Sequence, residues 1–186
     1  MRNLMTLRLA GSRLRGRPAA RILLLMPALL LAGWWVAAQL RPPRLRHGAP
    51  SPEELARRVL DGLQTGDLRA LESLALSADE FRDFVWPELP VSNPRTNVPL
   101  DYVWGDVHLR STARLQAMLR ALKGEGFSLV RVRHTGPRTD YPTHRAYSDF
   151  EIVLRDRDGK EREYPLFGTL IEMDGVWKVY SYAPYD

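Results

Sequence analysis

No cysteine occurs among the 186 residues, which excludes disulfides, thiol nucleophiles, cysteine-ligated zinc and lipid attachment to an N-terminal cysteine. With no such staple, the folded part must be stabilised by packing of its aliphatic and aromatic side chains. Lysine is nearly missing too, with 3 residues against 24 arginines, a bias that fits a bacterium with a GC-rich genome. The chain also lacks a glycine-rich phosphate loop, a Gly-x-Ser-x-Gly elbow and a His-Glu-x-x-His pair. The common sequence signatures of nucleotide binding, hydrolase and zinc-protease chemistry are therefore not there.

The most consequential absence is that of acidic residues from the first 46 positions, which hold nine arginines and an unbroken apolar run over 22–38. Six arginines precede the run and Arg41, Arg44 and Arg46 follow it, so a bilayer would keep the N-terminus cytoplasmic and export residue 47 onward. Residues 22–40 make a helix of roughly 28 Å, close to the hydrocarbon thickness, and Trp34 and Trp35 suit the outer interface. A cleaved signal peptide is the other reading, because Val36-Ala37-Ala38 offers small residues to a signal peptidase and Pro27 interrupts the helix. The expected organisation is a basic cytoplasmic segment at 1–21, a transmembrane anchor or signal core at 22–40, a Pro/Arg-rich tether at 41–52 and an extracytoplasmic domain at 53–186. This places the chain in a bacterial inner membrane as a single-pass protein with its C-terminal domain in the periplasm or outside the cell; cleavage near Ala38 would release that domain.

Past residue 46 the balance reverses, with 18 basic against 22 acidic residues. A mildly acidic domain has the wrong sign for the phosphate backbone, which excludes nucleic acid as an expected partner. About 140 residues suffice for one domain with a real core.

Local signals divide that domain into helices and then strands. Ser51-Pro52-Glu53-Glu54 reads as a serine cap, a proline at the first helical position and a glutamate three residues after the cap, starting a helix to about residue 64. Gly66-Asp67 stops it and caps a short helix through residue 73; Ser77-Ala78-Asp79-Glu80 is a second capping box. Four prolines over 86–101 predict a long loop, and Leu115, Met118, Leu119 and Leu122 predict a helix over 111–123.

After Gly126 the period changes to two, predicting strands over 127–134, 144–155, 162–173 and 176–183. Asp158-Gly159 and Asp174-Gly175 read as two-residue type I′ hairpin turns, which pair Val153 with Tyr164, Glu151 with Leu166, Asp149 with Gly168 and Leu170 with Val179. In this register one face holds Phe150, Ile152, Phe167, Ile171, Val176, Tyr180 and Tyr182. The other holds Tyr147, Asp149, Glu151, Val153, Leu166, Leu170, Trp177 and Val179. Neither face is polar, so both need cover: the helices on one, and on the other a partner subunit in a homodimer, the proline-rich loop or a ligand cavity.

Short helices followed by a meander that closes on Met173-Asp174-Gly175-Val176-Trp177-Lys178-Val179-Tyr180 resemble the nuclear transport factor 2-like superfamily, which includes ketosteroid isomerases and polyketide cyclases. The resemblance covers about residues 51–183 as an order of elements. It implies an α+β fold in which a curved antiparallel sheet wraps a helix into a cone whose mouth can bind a small apolar molecule. It carries over no catalytic residue, because the sequence matches none of the family's catalytic patterns.

Two groups are candidates for acid–base work. Asp149 and Glu151 share a predicted strand face, where enclosure would raise one carboxyl pKa, although pairing with Arg131 or Arg133 would leave a plain solvated face. His108 lies in a cluster with Asp101, Tyr102, Trp104 and Asp106 just after the proline-rich loop. Trp104, Trp177, Tyr180 and Tyr182, with Tyr185, are candidates to line an apolar pocket. His134, Asp140 and His144 are too loosely spaced to define a metal site, and neither metal nor cofactor is expected. The expected function is a membrane-tethered extracytoplasmic domain for small-ligand binding or protein assembly, without catalysis; the alternative is a small isomerase- or cyclase-like enzyme using a carboxylate or histidine in the cavity.

Overall fold

Ser51 begins the first helix as its sequence predicts. Its Oγ accepts the Glu54 amide at 3.2 Å, Pro52 occupies the first position, and α1 runs over Pro52–Thr65 in a computed structural model that describes residues 44–184. The basic segment 1–21, the span 22–40 and the start of the tether lie outside the described residues. Among those described, no helix is long and apolar enough to cross a membrane.

Gly66, at φ 77°, ends α1 in the left-handed conformation that a residue without Cβ adopts freely, and Asp67 Oδ1 then caps α2 (Leu68–Leu74) at the Ala70 amide. The capping box at Ser77 is complete: Ser77 Oγ accepts the Glu80 amide and Glu80 Oε2 accepts the Ser77 amide. It opens α3 (Ala78–Glu80), which continues as a wider π-helical turn over Phe81–Val85. The proline-rich stretch forms three single 3₁₀ turns, Trp86–Glu88, Pro90–Ser92 and Pro94–Thr96.

α4 spans Leu100–Leu122, beginning well before the predicted residue 111. Pro99 stands immediately before it, and tertiary packing of Leu100, Val103 and Trp104 carries the helix past Gly105, whose cost in a helix is about 1 kcal/mol. Asp101, Tyr102, Trp104, Asp106 and His108 are thus helical residues and not loop residues.

Seven strands follow: β1 (Ser128–His134), β2 (Arg138–Asp140), β3 (Arg145–Ser148), β4 (Phe150–Arg155), β5 (Glu161–Glu163), β6 (Phe167–Met173) and β7 (Val176–Tyr182). They form two antiparallel sheets, ordered β1-β4-β5 and β2-β3-β6-β7. The architecture is α+β, with helices on antiparallel sheets. The strand expected over 144–155 is divided at Asp149, whose φ of 59° turns the chain from one sheet into the other. The Asp149 carbonyl accepts the Thr135 and Gly136 amides, so the neighbouring strand bends at the same place.

The two hairpins differ. Asp174 and Gly175 both have positive φ, as type I′ requires, and Leu170 pairs with Val179 as predicted. At the other turn only Gly159 has positive φ, and Asp156 Oδ1 accepts the amides of Asp158 and Lys160. A three-residue loop results, and Val153 pairs with Glu163, one residue from the predicted Tyr164. The irregularity at Asp149 restores the predicted register beyond it, where Ser148 pairs with Thr169.

These irregularities redistribute the two faces into two cores. The larger joins Leu55, Val59 and Leu63 of α1, Leu71 of α2 and Leu115, Met118 and Leu122 of α4 to Phe150, Ile152, Leu166, Phe167, Leu170, Val179 and Tyr182. The smaller gathers Leu45, Leu76, Phe81, Val85, Ile171 and Met173 on the opposite face of β6–β7, with Trp86, Trp104, Val176 and Tyr180 packed against it. Both faces are covered, as the absence of a polar face requires.

One expectation is corrected here. The second half of the predicted tether is part of the fold: Leu45 and Ala49 are buried, and Ala49 exchanges backbone hydrogen bonds of 2.9 and 2.8 Å with Trp177. Gly48 permits this, since a Cβ there would lie 2.6 Å from the Trp177 carbonyl oxygen. Proline and arginine content pointed to a tether, but one leucine and one alanine suffice to lay the segment along the sheet.

Candidate functional site

α4 presents Trp104, Val107, His108, Ser111, Thr112 and Leu115 at helical spacing, so one stripe of the helix faces the end of β7. Opposite it, the link between α2 and α3 lies against β7: Ala75 bridges Val179 in parallel, and the Leu76 amide donates to the Val179 carbonyl at 2.8 Å. A groove of about 420 Å³ remains between them, lined also by Glu72, Ser77, Tyr180 and Tyr182. That volume is within the range of small-molecule sites.

The groove's aromatic end is built around Phe81. Its ring centroid lies 5.1 Å from Trp104, 6.2 Å from Trp86 and 6.3 Å from Tyr180, and His108 stacks on Trp104 at 5.2 Å. His108 is exposed at the rim, whereas Trp104 and Tyr180 are half-buried. Burial, with Tyr141 adding to it, pushes the Tyr180 hydroxyl up to about 12, so this phenol stays neutral in the groove at ordinary pH.

The other end is held by hydrogen bonds. Buried Ser111 Oγ accepts the Tyr182 amide at 3.1 Å, Arg114 donates to the Tyr182 carbonyl at 3.2 Å, and the Tyr182 hydroxyl donates to the Leu71 carbonyl at 3.1 Å. These bonds satisfy Ser111 Oγ and the Tyr182 amide, carbonyl and hydroxyl without closing the groove.

The sequence candidates fall into two sets. Trp104, His108, Tyr180 and Tyr182 come together in the groove. Trp177 does not; it packs on Tyr147 at 4.7 Å, toward the larger core. Asp149 is exposed at the sheet junction, and both oxygens of Glu151 are held by arginines, Oε1 by Arg131 at 2.6 Å and Oε2 by Arg133. The two guanidiniums hold the Glu151 carboxyl below its usual range, opposite to the elevation that a general acid needs. Asp106 pairs with Arg110 one turn along α4. His134 rests against Tyr147 and Phe150 while His144 is buried on Tyr141, and among the described residues no three histidines or carboxylates gather as metal ligands.

Two polar pairs in the smaller core were not anticipated. Lys178 Nζ meets Glu80 Oε2 at 2.7 Å with both side chains buried, and Glu80 also accepts the Arg46 and Ser77 amides. Burial pushes the Glu80 carboxyl up, but those amides and Lys178 outweigh it and leave it below its usual range. Burial pulls the Lys178 ammonium down, against the pull of Glu80. His144 is also buried, with Nδ1 2.9 Å from Glu88 Oε2 but out of line for a hydrogen bond, and Nε2 has no partner. Its imidazole is held below its ordinary range by burial, with Glu88 opposing.

Compared with known proteins, the chain matches no family model, no curated protein and no solved structure.

Proposed function

We propose that the chain is a membrane-tethered, extracytoplasmic binding module of the nuclear transport factor 2-like kind, without catalysis, whose groove between α4 and β7 takes a small flat apolar molecule. One observation carries the reading: residues distant in sequence, Trp104 and His108 on α4 and Tyr180 and Tyr182 on β7, converge on a single groove of about 420 Å³. Aromatic side chains supply large contact area at low entropic cost, and the Ser111 and Tyr182 hydrogen bonds pre-form the walls. The position of the acid–base candidates favours binding over catalysis, since Asp149 and Glu151 stand outside the groove and only His108 lines it. The order of helices before a bent meander supports the cone-like comparison, and the arginine-flanked run at 22–40 supports the tether.

The test is ligand-observed NMR with para-cresol and the full-length chain. Saturation transfer from protein to cresol is expected with the native chain and is expected to fall sharply in Trp104→Ala. Equal transfer to both proteins, or none to either, overturns the reading.

A further inference from the structure

We propose that this groove selects a small organic ammonium cation with an aromatic or other apolar body. The inference rests on the binding reading above and concerns only what the site prefers. Neither lysine nor arginine lines the groove; its one carboxylate is that of Glu72, with the His108 imidazole at the rim. Glu72 is exposed at the groove's edge and makes no ion pair among the described residues. Its field reaches the inner end of the groove, where it adds to burial in holding the Tyr182 phenol well above its usual range.

The remaining lining completes the match. Trp104 and Tyr180 have electron-rich rings of the kind that attract a cation, and Val107 and Leu115 give an apolar floor for the rest of the molecule. An anion finds less. Ser77 and Glu80 close their amides into the capping box at the rim, and Arg114 is turned to the Tyr182 carbonyl. A carboxylate or phosphate in the groove would face Glu72 without a lysine or arginine among the lining residues. The complementarity is thus for a positive charge, delocalised or alkylated so that it tolerates partial desolvation beside aromatic rings.

Three probes of matched size separate this proposal from the one beneath it: benzyltrimethylammonium, its neutral near-isostere benzyldimethylcarbinol, and the anion hydrocinnamate. Each is titrated calorimetrically into the full-length chain and into Glu72→Gln and Trp104→Ala. The ammonium is expected to bind about tenfold more tightly than the carbinol, and the anion more weakly than either. Glu72→Gln should reduce ammonium affinity several-fold while leaving carbinol affinity unchanged, whereas Trp104→Ala should weaken both. Equal binding of ammonium and carbinol, or no change in preference in Glu72→Gln, overturns the ammonium proposal and leaves the groove as a neutral apolar site. If no probe binds, the binding reading itself fails, and this proposal with it.

Discussion

The two cores of the domain are built from different materials. The larger is filled mainly by leucine, valine and isoleucine from three helices and the sheet, with Phe150, Phe167 and Tyr182 among them, and it contains no buried ion pair among the described residues. The smaller, on the other face of β6–β7, combines an aromatic cluster with the buried Glu80–Lys178 pair, lies beside His144 and Glu88, and opens into the groove. A sheet with two apolar faces can divide its tasks in this way. One side supplies most of the hydrophobic burial that holds the fold, and the other carries the buried ion pair and the aromatic end of the groove.

The contrast is broken most forcefully at Glu80. Glu80→Ala leaves Lys178 buried without its partner and frees the Arg46 and Ser77 amides, so a loss of about 3–5 kcal/mol is expected in chemical unfolding of the full-length chain. Removing both charges in Glu80→Gln/Lys178→Met should recover much of that loss, because an uncompensated buried ion is the costly species. Failure of the double variant to recover would mean that the hydrogen bonds to the 44–50 segment matter more than the charges.

A smaller effect sharpens the same comparison through pH. The folded His144 imidazole titrates below its ordinary value of 6.5, so from 6.5 down to that folded value the unfolded chain binds more protons. Stability therefore falls as pH drops through this window. Glu80, whose folded carboxyl also lies below its ordinary value of 4.5, adds a second loss as pH falls through the folded value. Denaturation curves across this range should show the upper slope abolished in His144→Gln and the lower one retained. An unchanged upper slope would remove His144 from the account.

Much of this arrangement was legible in local chemistry. The caps at Ser51, Asp67 and Ser77 have the neighbours that their side chains need within three residues, and Asp174-Gly175 supplies both positive φ values of its turn. What escaped were two local backbone departures and the contacts between groups distant in sequence. Asp156 closes the neighbouring turn with its own carboxylate and shifts the register, while Asp149 bends a strand whose composition gave no sign of a break. α4 begins at Leu100 because its first turns pack on Phe81, which lies in another element. That earlier start also brings His108 into line with Ser111 and Leu115, so the aromatic candidates were visible while the groove that unites them was not. Glu80 read as a capping residue, and it is one; its second role becomes apparent only when Lys178, 98 residues away, is placed beside it.

The central claim is that binding belongs to the groove where Trp104 and Tyr180 of the smaller core meet Leu115 and Tyr182 of the larger, and not to the face where Trp177 packs. The most direct measurement is the indole N–H resonance of each tryptophan in the full-length chain, assigned by single substitution and followed during titration with benzyltrimethylammonium. The account predicts a saturable shift of Trp104 and a stationary Trp177. A shift at Trp177 with Trp104 unmoved would contradict it.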